Sequence, residues 1–254
     1  MQSQTTRSTA MRFLVIPCFN EENRLVPNEV TKCIETLNCN VVLVDDGSTD
    51  RTLEILNDLA LDFPQSIAVL PLPRNVGKGE AVRAGFNYAF ERGATQVLFC
   101  DADFATGPDD LLRICNTLDE HTECKAVIGS RIAIIGSHID RSMFRHYSGR
   151  VFATLVSLTL GTRIYDTQCG AKAFTVDNEL RRVFSKPFLS RWAFDVEVIG
   201  RLLRIDHSQK GQKIILELPL ANWSEVPGSK LNLVSQLRTV VELLKIRSSL
   251  NTWS

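Results

Sequence analysis

Two carboxylates end an apolar run in the middle of the chain. Asp101 and Asp103 come directly after VLFC at residues 97–100. A carboxylate is costly to bury unless a cation pairs with it, so a buried strand that ends in two of them needs a positive partner. Side chains two residues apart in an extended chain share a face, and carboxylate oxygens suit Mg²⁺ and Mn²⁺. The spacing therefore predicts a divalent metal site at Asp101 and Asp103, completed by water and phosphate oxygens.

Three further polar segments follow apolar runs. They are PCFNEE at 17–22, DDGS at 45–48 and RNVGKG at 74–79. In a parallel sheet, ligands bind in the crevice beyond the carboxyl ends of the strands. We therefore expect all four segments to form one site for a metal-bound diphosphate. Lys78 would approach the diphosphate, and Asp45 and Glu21 would accept hydrogen bonds from ribose or base groups.

Each segment taken alone has an ordinary structural explanation. Ser48, Thr49 and Asp50 are residue types that cap helices, RNVGKG is compatible with a solvated helix start, and Asp-x-Asp is short enough to occur by chance. The chain has no Walker sequence, and no GxGxxG follows the first strand, so the signatures of P-loop and dinucleotide enzymes are missing. The shared placement of the four segments favours the binding site.

The elements that must position these residues alternate along the first half of the chain. Five short apolar runs are typical of strands, and the segments between the first four have helical periodicity. The runs are RFLVIP, NVVLVDD, SIAVLPL, QVLFCDAD and KAVIGSR. The pattern predicts an α/β fold of the Rossmann-like type, with a mostly parallel sheet flanked by helices.

The second half of the chain elaborates this sheet. Its predicted elements are a helix over 142–160, a turn over 161–170, a helix over 194–205 and a strand over 213–220. We expect a flexible N-terminus over 1–10, a single domain over 11–232 and a helical tail over 233–254.

Composition limits the classes of function. The chain has 254 residues, 44% of them hydrophobic, and a formal net charge of zero, which argues against a nucleic-acid partner that needs a broad basic surface. The seven cysteines show no metal-ligand spacing and are interpreted as reduced thiols. The first ten residues lack the apolar core of a signal peptide, and no run is long enough to span a membrane. We expect a cytoplasmic protein, or one attached peripherally to the cytoplasmic face of a membrane.

A local excess of positive charge follows the fifth strand. Residues 131–163 contain five arginines and one acid, Asp140. Arg141 and Arg145 lie one helical turn apart, so together with Arg131 they could hold a phosphate, although a solvated helix face is the alternative. The apolar positions over 152–160 fit a helix in a membrane interface or an ordinary core-facing helix equally well. The arginines predict an anion site beside the metal site.

At this point the motifs resemble a known family. IPCFNEE, VVLVDDGSTD, RNVGKGEAVRAGF, DAD and GSR are similar to those of the family 2 glycosyltransferases, which have the GT-A fold. DTQCGAKAF at 166–174, RWAFDVE at 191–197 and NWSEVPGSKL at 222–231 resemble the dolichyl-phosphate β-glucosyltransferase branch. The resemblance implies a GT-A domain with a C-terminal elaboration on the acceptor side. It also implies an inverting enzyme that moves glucose from UDP-glucose to a polyprenyl phosphate at a membrane surface.

The resemblance also implies roles for individual residues. Those expected to hold the nucleoside are Pro17, Asn20, Glu21, Asp45 and Asp46. Those expected to hold the metal and diphosphate are Asp101, Ala102, Asp103, Gly77, Lys78 and Lys230. Ala105 and Ser224 stand where related mannosyltransferases carry Gln and, approximately, Arg, which favours the glucosyl branch. Asp103, Arg131 and Asp166 are the candidate catalytic residues, and Asp195 is expected to support the site or cap a helix.

The expected reaction needs little acid–base catalysis. A phosphate monoester is largely ionised at neutral pH because its second pKa is about 6, so its oxygen can attack the sugar without a strong base. Three alternatives stay open. They are the same fold with GDP-mannose or a UDP-N-acetylhexosamine as donor, a sugar nucleotidyltransferase, and a non-catalytic protein that binds nucleotide sugars.

Overall fold

The computed structural model describes residues 10–140, 143–205, 214–224 and 233–253, without the side chains of 143–148 and 233–240. The first-half elements are β1 (Arg12–Cys18), α1 (Pro27–Leu37), β2 (Cys39–Asp45), α2 (Thr52–Asp62), β3 (Ile67–Pro71), α3 (Lys78–Glu91), β4 (Gln96–Cys100), α4 (Pro108–Glu120) and β5 (Ala126–Ser130). The second-half elements are β6 (His138–Asp140), α5 (Met143–Leu160), β7 (Ala171–Thr175), α6 (Asn178–Ser185), α7 (Phe194–Ile205), β8 (Ile215–Pro219), β9 (Asn222–Ser224) and α8 (Leu233–Asn251).

Seven strands form one sheet in the order β3-β2-β1-β4-β7-β5-β8. All pairs are parallel except those of β7, which runs antiparallel to both β4 and β5. The predicted α/β fold with a mostly parallel sheet is confirmed. Because β7 is antiparallel, it begins at the edge where β4 and β5 end, with Ala171 opposite Cys100. The segment before β7 is thereby brought to the same edge as the DAD motif.

Strand β7 was not predicted from the sequence. Its residues, AKAFT, contain one strongly apolar side chain and a lysine, so they do not form an apolar run. The strand separates β4 from β5, and the GSR motif therefore ends two strands away from DAD instead of beside it.

Both faces of the sheet are covered, as expected of parallel strands. Successive β1 residues point to opposite faces. Leu14 and Ile16 pack with α1, α2 and α4 on one face, and Phe13 and Val15 pack with α3, α6 and α7 on the other. Gly85 lets α3 approach closely, because a Cβ there would lie 2.4 Å from Val15 Cγ1. The two apolar layers hold the strand ends in register.

Helices α5, α7 and α8 share a third apolar cluster. Val156, Ala193, Val196, Leu243, Ile246 and Leu250 are buried in it, and Phe152, Leu155 and Leu160 pack against it. The apolar positions of α5 are therefore mainly those of a core-facing helix, with Val151 and Leu158 exposed as exceptions. No helix in the described part of the chain is long and apolar enough to cross a bilayer. The predicted boundaries at residues 10 and 232 stay predictions.

All seven cysteines are buried and form no disulfide in the structure. Burial raises the pKa of Cys33 to about 12 and that of Cys169 to about 11. Thiols of this kind stay protonated at neutral pH and pack as small apolar side chains.

Candidate active site

The two carboxylates of the DAD motif lie just beyond the end of β4, and each has a cationic partner. Asp101 Oδ1 is 2.5 Å from Lys78 Nζ, and Asp103 forms an ion pair with Arg24. The side chains of Asp101 and Asp103 are 40% and 16% exposed, so partial access to water as well as these cations accounts for two carboxylates at the end of an apolar strand. Arg24 was not expected from the sequence, because a lone arginine after PCFNEE carries no motif.

The chemistry of these carboxylates suits a divalent cation. No group of three or more His, Cys, Asp or Glu side chains that could hold a metal ion occurs among the described residues. Mg²⁺ commonly takes one or two carboxylates from a protein and completes its shell with water and substrate phosphates. Asp101 and Asp103 provide two carboxylates of that kind, each paired with a cation in this structure.

The PCFNEE and DDGSTD segments are joined by hydrogen bonds. The main-chain N–H of Asn20 donates to Ser48 Oγ over 3.0 Å, and Asn20 Oδ1 accepts from Thr49 N–H over 2.8 Å. Asn20 has φ of +53°, a left-handed conformation that Asn tolerates better than most residues. Glu21 N–H donates to Thr52 Oγ1 over 2.7 Å. The ends of β1 and β2 thus form one connected surface.

The neighbouring carboxylates Asp45 and Asp46 differ in their surroundings. Both are buried, but the hydrogen bonds that the Asp45 carboxylate accepts within the described part of the chain are long, at 3.3 Å from Ser48 N–H. Asp46 accepts from Val76 N–H over 2.7 Å and from Gly77 N–H over 2.9 Å. Burial raises the pKa of Asp46, against the lowering effect of these two N–H groups. Asp46 therefore contacts the 74–79 loop, whereas the sequence resemblance assigns it to the nucleoside.

Lys78 is the first residue of α3 and follows Gly77, whose φ of +101° favours glycine. Its ammonium group lies 5.5 Å from the centre of the Phe99 ring. Burial acts to lower the pKa of Lys78, but the charges of Asp101 and Asp195 outweigh it and raise the pKa. Lys78 is therefore a charged group held at the site.

A second ion pair, formed by Lys172 and Asp195, lies near that of Lys78 and Asp101. Lys172 Nζ is 2.6 Å from Asp195 Oδ1 and 2.5 Å from the carbonyl oxygen of Cys169, and both side chains are buried. Burial raises the pKa of Asp195, while Lys172 and Lys78 act in the opposite direction. The expected supporting role of Asp195 agrees with this position. Lys172 was missed, because a single lysine in an unpredicted strand gave no signal.

Arg131 and Asp166 form a bidentate ion pair at the end of β5. Arg131 Nε lies 2.6 Å from Asp166 Oδ2, and a terminal guanidinium nitrogen lies 2.8 Å from Oδ1. Burial acts to lower the pKa of Arg131, but the charge of Asp166 outweighs it and raises the pKa. The Arg131 guanidinium also lies 5.4 Å from the Trp223 ring centre. The structure thus joins two candidate catalytic residues to each other.

Glu217 on β8 fixes the backbone beside this pair. Its two carboxylate oxygens accept hydrogen bonds of 2.8 Å from Tyr165 N–H and Asp166 N–H. Burial raises the pKa of Glu217, although the two N–H groups act in the opposite direction. Glu217 was missed because ILELP is an ordinary strand sequence.

The remaining predicted residues are placed as follows. Pro17 lies in β1 opposite Val44 of β2, and Ala102 is buried between the two DAD carboxylates. Arg141 and Lys230 lie outside the described residues. Arg145 lies on α5, but its side chain is not among those described. The proposed clamp of Arg141 and Arg145 is therefore not visible in the structure.

An open groove of about 710 Å³ runs between the DAD loop and the two-stranded sheet of β6 and β9. Phe104, next to Asp103, lines it with φ of +48°, which is uncommon for a bulky residue. Ala105, Gly107, Ser137, His138, Ile139, Asp140, Asn222, Trp223 and Ser224 complete the lining. The groove is therefore lined by the residues that follow the DAD motif and by Trp223, the aromatic neighbour of Arg131.

The chain is similar to a known family and to known proteins. The family described as Glycosyl transferase family 2 matches residues 13–178. A dolichyl-phosphate beta-glucosyltransferase of Trichomonas vaginalis is 34% identical over 246 residues, which cover 92% of this chain and 72% of that protein. A dolichyl-phosphate beta-glucosyltransferase of Mus musculus is 35% identical over 241 residues, which cover 86% of this chain and 68% of that protein.

A solved structure has the same fold. It is glucosyl-3-phosphoglycerate synthase from Mycobacterium tuberculosis in complex with Mn²⁺, UDP and glucosyl-3-phosphoglycerate. The two chains are 19% identical, the TM-score is 0.65, and the match covers 94% of this chain and 80% of the other. At that identity the likeness is one of fold.

Proposed function

The chain belongs to glycosyl transferase family 2 and has the GT-A fold, and from this premise we propose that it transfers glucose from UDP-glucose to a polyprenyl phosphate. The names of the Trichomonas and mouse relatives support this acceptor and this sugar. The Mn²⁺ and UDP in the mycobacterial structure support a divalent ion and a uridine nucleotide. The reaction would invert the configuration at the anomeric carbon.

One contact carries the proposal. Asp101 N–H donates to the carbonyl oxygen of Gly170 over 3.1 Å. A Cβ at Gly170 would lie only 2.1 Å from Asp101 Oδ2, so only glycine leaves room for this carboxylate. Gly170 follows Asp166 in the DTQCG motif, and Asp166 holds Arg131. The 166–170 segment thus contacts Asp101 through Gly170 and Arg131 through Asp166, which supports a donor site and an acceptor site next to each other.

On the donor side, we propose that the linked loops after β1 and β2 hold the uridine. Asp45 is the better placed of the two neighbouring aspartates, because its hydrogen bonds within the protein are long. Lys78 and Arg24 would turn from their carboxylates to the diphosphate. A divalent cation held by Asp101 and Asp103 would neutralise the charge that develops on the leaving UDP.

On the acceptor side, Arg131 is proposed to bind the lipid phosphate, with Arg141 and Arg145 as further cations. Both oxygens of Asp166 already accept from Arg131, so we assign Asp166 the role of orienting the guanidinium and not that of a proton acceptor. The ionised phosphate oxygen would attack the anomeric carbon as the bond to UDP breaks. UDP then leaves with the bonding electron pair, and no proton needs to be removed at neutral pH.

We further propose that the protein attaches peripherally to a membrane. Leu189, Trp192, Val241 and Leu244 are each more than half exposed. The Ser190 hydroxyl donates to Glu242, which brings the turn that carries Leu189 and Trp192 to α8. Exposed apolar side chains, Trp above all, favour the boundary between lipid headgroups and acyl chains. Sedimentation with anionic vesicles, before and after Trp192→Ser, tests this attachment.

A competition between donors tests the sugar. UDP-glucose, GDP-mannose and UDP-N-acetylglucosamine are supplied together with a short polyprenyl phosphate, and the hexose in the lipid product is identified. We expect glucose. Mannose in the product would overturn the donor assignment within the same fold. Formation of UTP and glucose 1-phosphate from UDP-glucose when pyrophosphate is added, without a lipid product, would indicate a nucleotidyltransferase. Donor binding without any turnover would indicate a non-catalytic binding protein.

A further inference from the structure

The 74–79 loop, which carries Lys78, is attached to the end of β2 through one carboxylate. Asp46 is 3% exposed, and its oxygens accept from Val76 N–H, Gly77 N–H and the side-chain amide of Asn75. These bonds measure between 2.7 and 3.0 Å and use both oxygens. A carboxylate that accepts several N–H groups in this way stabilises one loop conformation.

The same loop is packed closely from two sides. A Cβ at Gly47 would lie 2.6 Å from Asn75 N, so the turn after Asp46 lies directly against the loop. Arg191 of the RWAFDVE motif donates to Asn75 Oδ1, and a Cβ at Gly77 would lie 2.7 Å from Arg191 Nε. The Arg191 carbonyl oxygen accepts from Gly79 N–H over 3.3 Å. The loop is thus held between Asp46 and Arg191.

We propose that Asp46 is a positioning residue, which holds the 74–79 loop so that Lys78 faces the diphosphate of the donor, and that it does not itself contact the nucleoside. The inference rests on the proposed function only in requiring a nucleoside diphosphate at this site. The inference gives the two aspartates of the DDG motif different roles. Asp45 serves the nucleoside, and Asp46 serves the phosphates through the loop.

The test compares two ligands that differ only in the diphosphate. UDP and uridine are titrated, each with MnCl₂, into the wild-type protein and into Asp46→Asn, which keeps the size of the side chain. The carboxamide oxygen of that variant still accepts, but its NH₂ group opposes a main-chain N–H. We expect UDP affinity to fall by about ten- to a hundredfold and uridine affinity to change by less than about twofold. Asp45→Asn should weaken both ligands together.

A matched variant separates positioning from general stability. Asp110 is also a buried carboxylate that accepts two main-chain N–H groups, those of Ala221 and Asn222. It pairs with Arg113 on the same helix, so its described partners lie outside the 45–48 and 74–79 segments. Asp110→Asn should lower the melting temperature much as Asp46→Asn does and leave UDP affinity unchanged. Amide hydrogen exchange without ligand should show faster exchange at Val76 and Gly77 in Asp46→Asn alone.

Two results would overturn the inference. One is an equal loss of UDP and uridine affinity in Asp46→Asn, and the other is unchanged UDP affinity in that variant. If Asp46→Asn does not fold, Asn75→Ala gives the same comparison, because it removes one of the three donors to Asp46 and leaves the carboxylate in place. Equal losses of UDP and uridine affinity in Asn75→Ala would also overturn the inference. A wild-type protein that binds neither ligand would overturn the proposed function as well, so the two failures are distinguishable.

Discussion

Lys172 Nζ lies 2.6 Å from Asp195 Oδ1, and the two side chains are 1% and 4% exposed. This ion pair is close to Asp101 of the DAD motif. Lys172 also lies 4.8 Å from the centre of the Phe99 ring and donates to the Cys169 carbonyl oxygen. One buried ammonium group therefore joins β7, the start of α7 and the segment that carries DTQCG. This buried ion pair therefore holds together elements that position the site.

Removing one partner of this pair should destabilise the protein strongly. Lys172→Met leaves Asp195 buried without its cation, and we expect the free energy of unfolding to fall by about 3–5 kcal/mol. Urea denaturation measures it. The double variant Lys172→Met with Asp195→Leu should recover much of the loss, because a buried ion pair can be replaced by apolar side chains at little cost. A single variant as stable as the wild type would contradict the buried pair.

Metal-dependent donor binding should require Asp103. Asp103→Asn removes one anionic ligand with little change of volume, so Mn²⁺ should no longer strengthen UDP binding, and turnover should be lost. Calorimetry with and without MnCl₂ measures the difference. Asp119→Asn is the control, since Asp119 pairs with Arg12 at the opposite edge of the sheet. Full activity of Asp103→Asn, or of the wild type in excess EDTA, would reject the metal site.

Glu217 should affect the acceptor and not the donor. Glu217→Gln replaces one accepting oxygen by an amide that opposes a main-chain N–H of Tyr165 or Asp166, and this should loosen the ion pair of Asp166 and Arg131. We expect the acceptor KM to rise about tenfold while the UDP dissociation constant stays constant. Glu179→Gln, which changes an exposed partner of Lys125, is the matched control. An equal change in the donor constant would place Glu217 in the donor site.

The arginine pair predicted from the sequence can be tested in the same assay. If Arg141 and Arg145 bind the lipid phosphate as proposed, replacing both by Gln would remove two charge-assisted contacts, each worth roughly 1.5–3 kcal/mol. Acceptor affinity should fall about ten- to a hundredfold per arginine, or less if Arg131 compensates. Loss of donor binding with unchanged acceptor dependence would assign these arginines to the nucleotide site.

Most of the sheet could be predicted because β1, β2, β4 and β5 are buried on both faces. Strands that are buried on both faces are continuous apolar runs in the sequence, so these strands and the polar segments at their ends could be recognised. Strand β7 was missed because it carries Lys172, whose burial is explained only by Asp195, distant in the sequence.

The sequence predicted which motifs form the site, but not which residues pair with one another within it. The sequence predicted that Lys78 and the DAD motif lie close together, and in the structure Lys78 pairs with Asp101. It could not show that Asp46 binds a loop, that Arg24 pairs with Asp103, or that Glu217 supports Asp166. Each of these depends on a contact across 30 to 79 positions of the chain, formed by residues of common types.

The most direct measurement is the transfer of radiolabelled hexose from UDP-glucose to a short polyprenyl phosphate, followed by the anomeric configuration of the product. The proposed function predicts label in the lipid fraction, dependence on a divalent ion, and a β-glucosyl phosphate, which is inverted relative to the donor. Label that stays in the aqueous fraction at saturating acceptor, or an α-linked product, would contradict it.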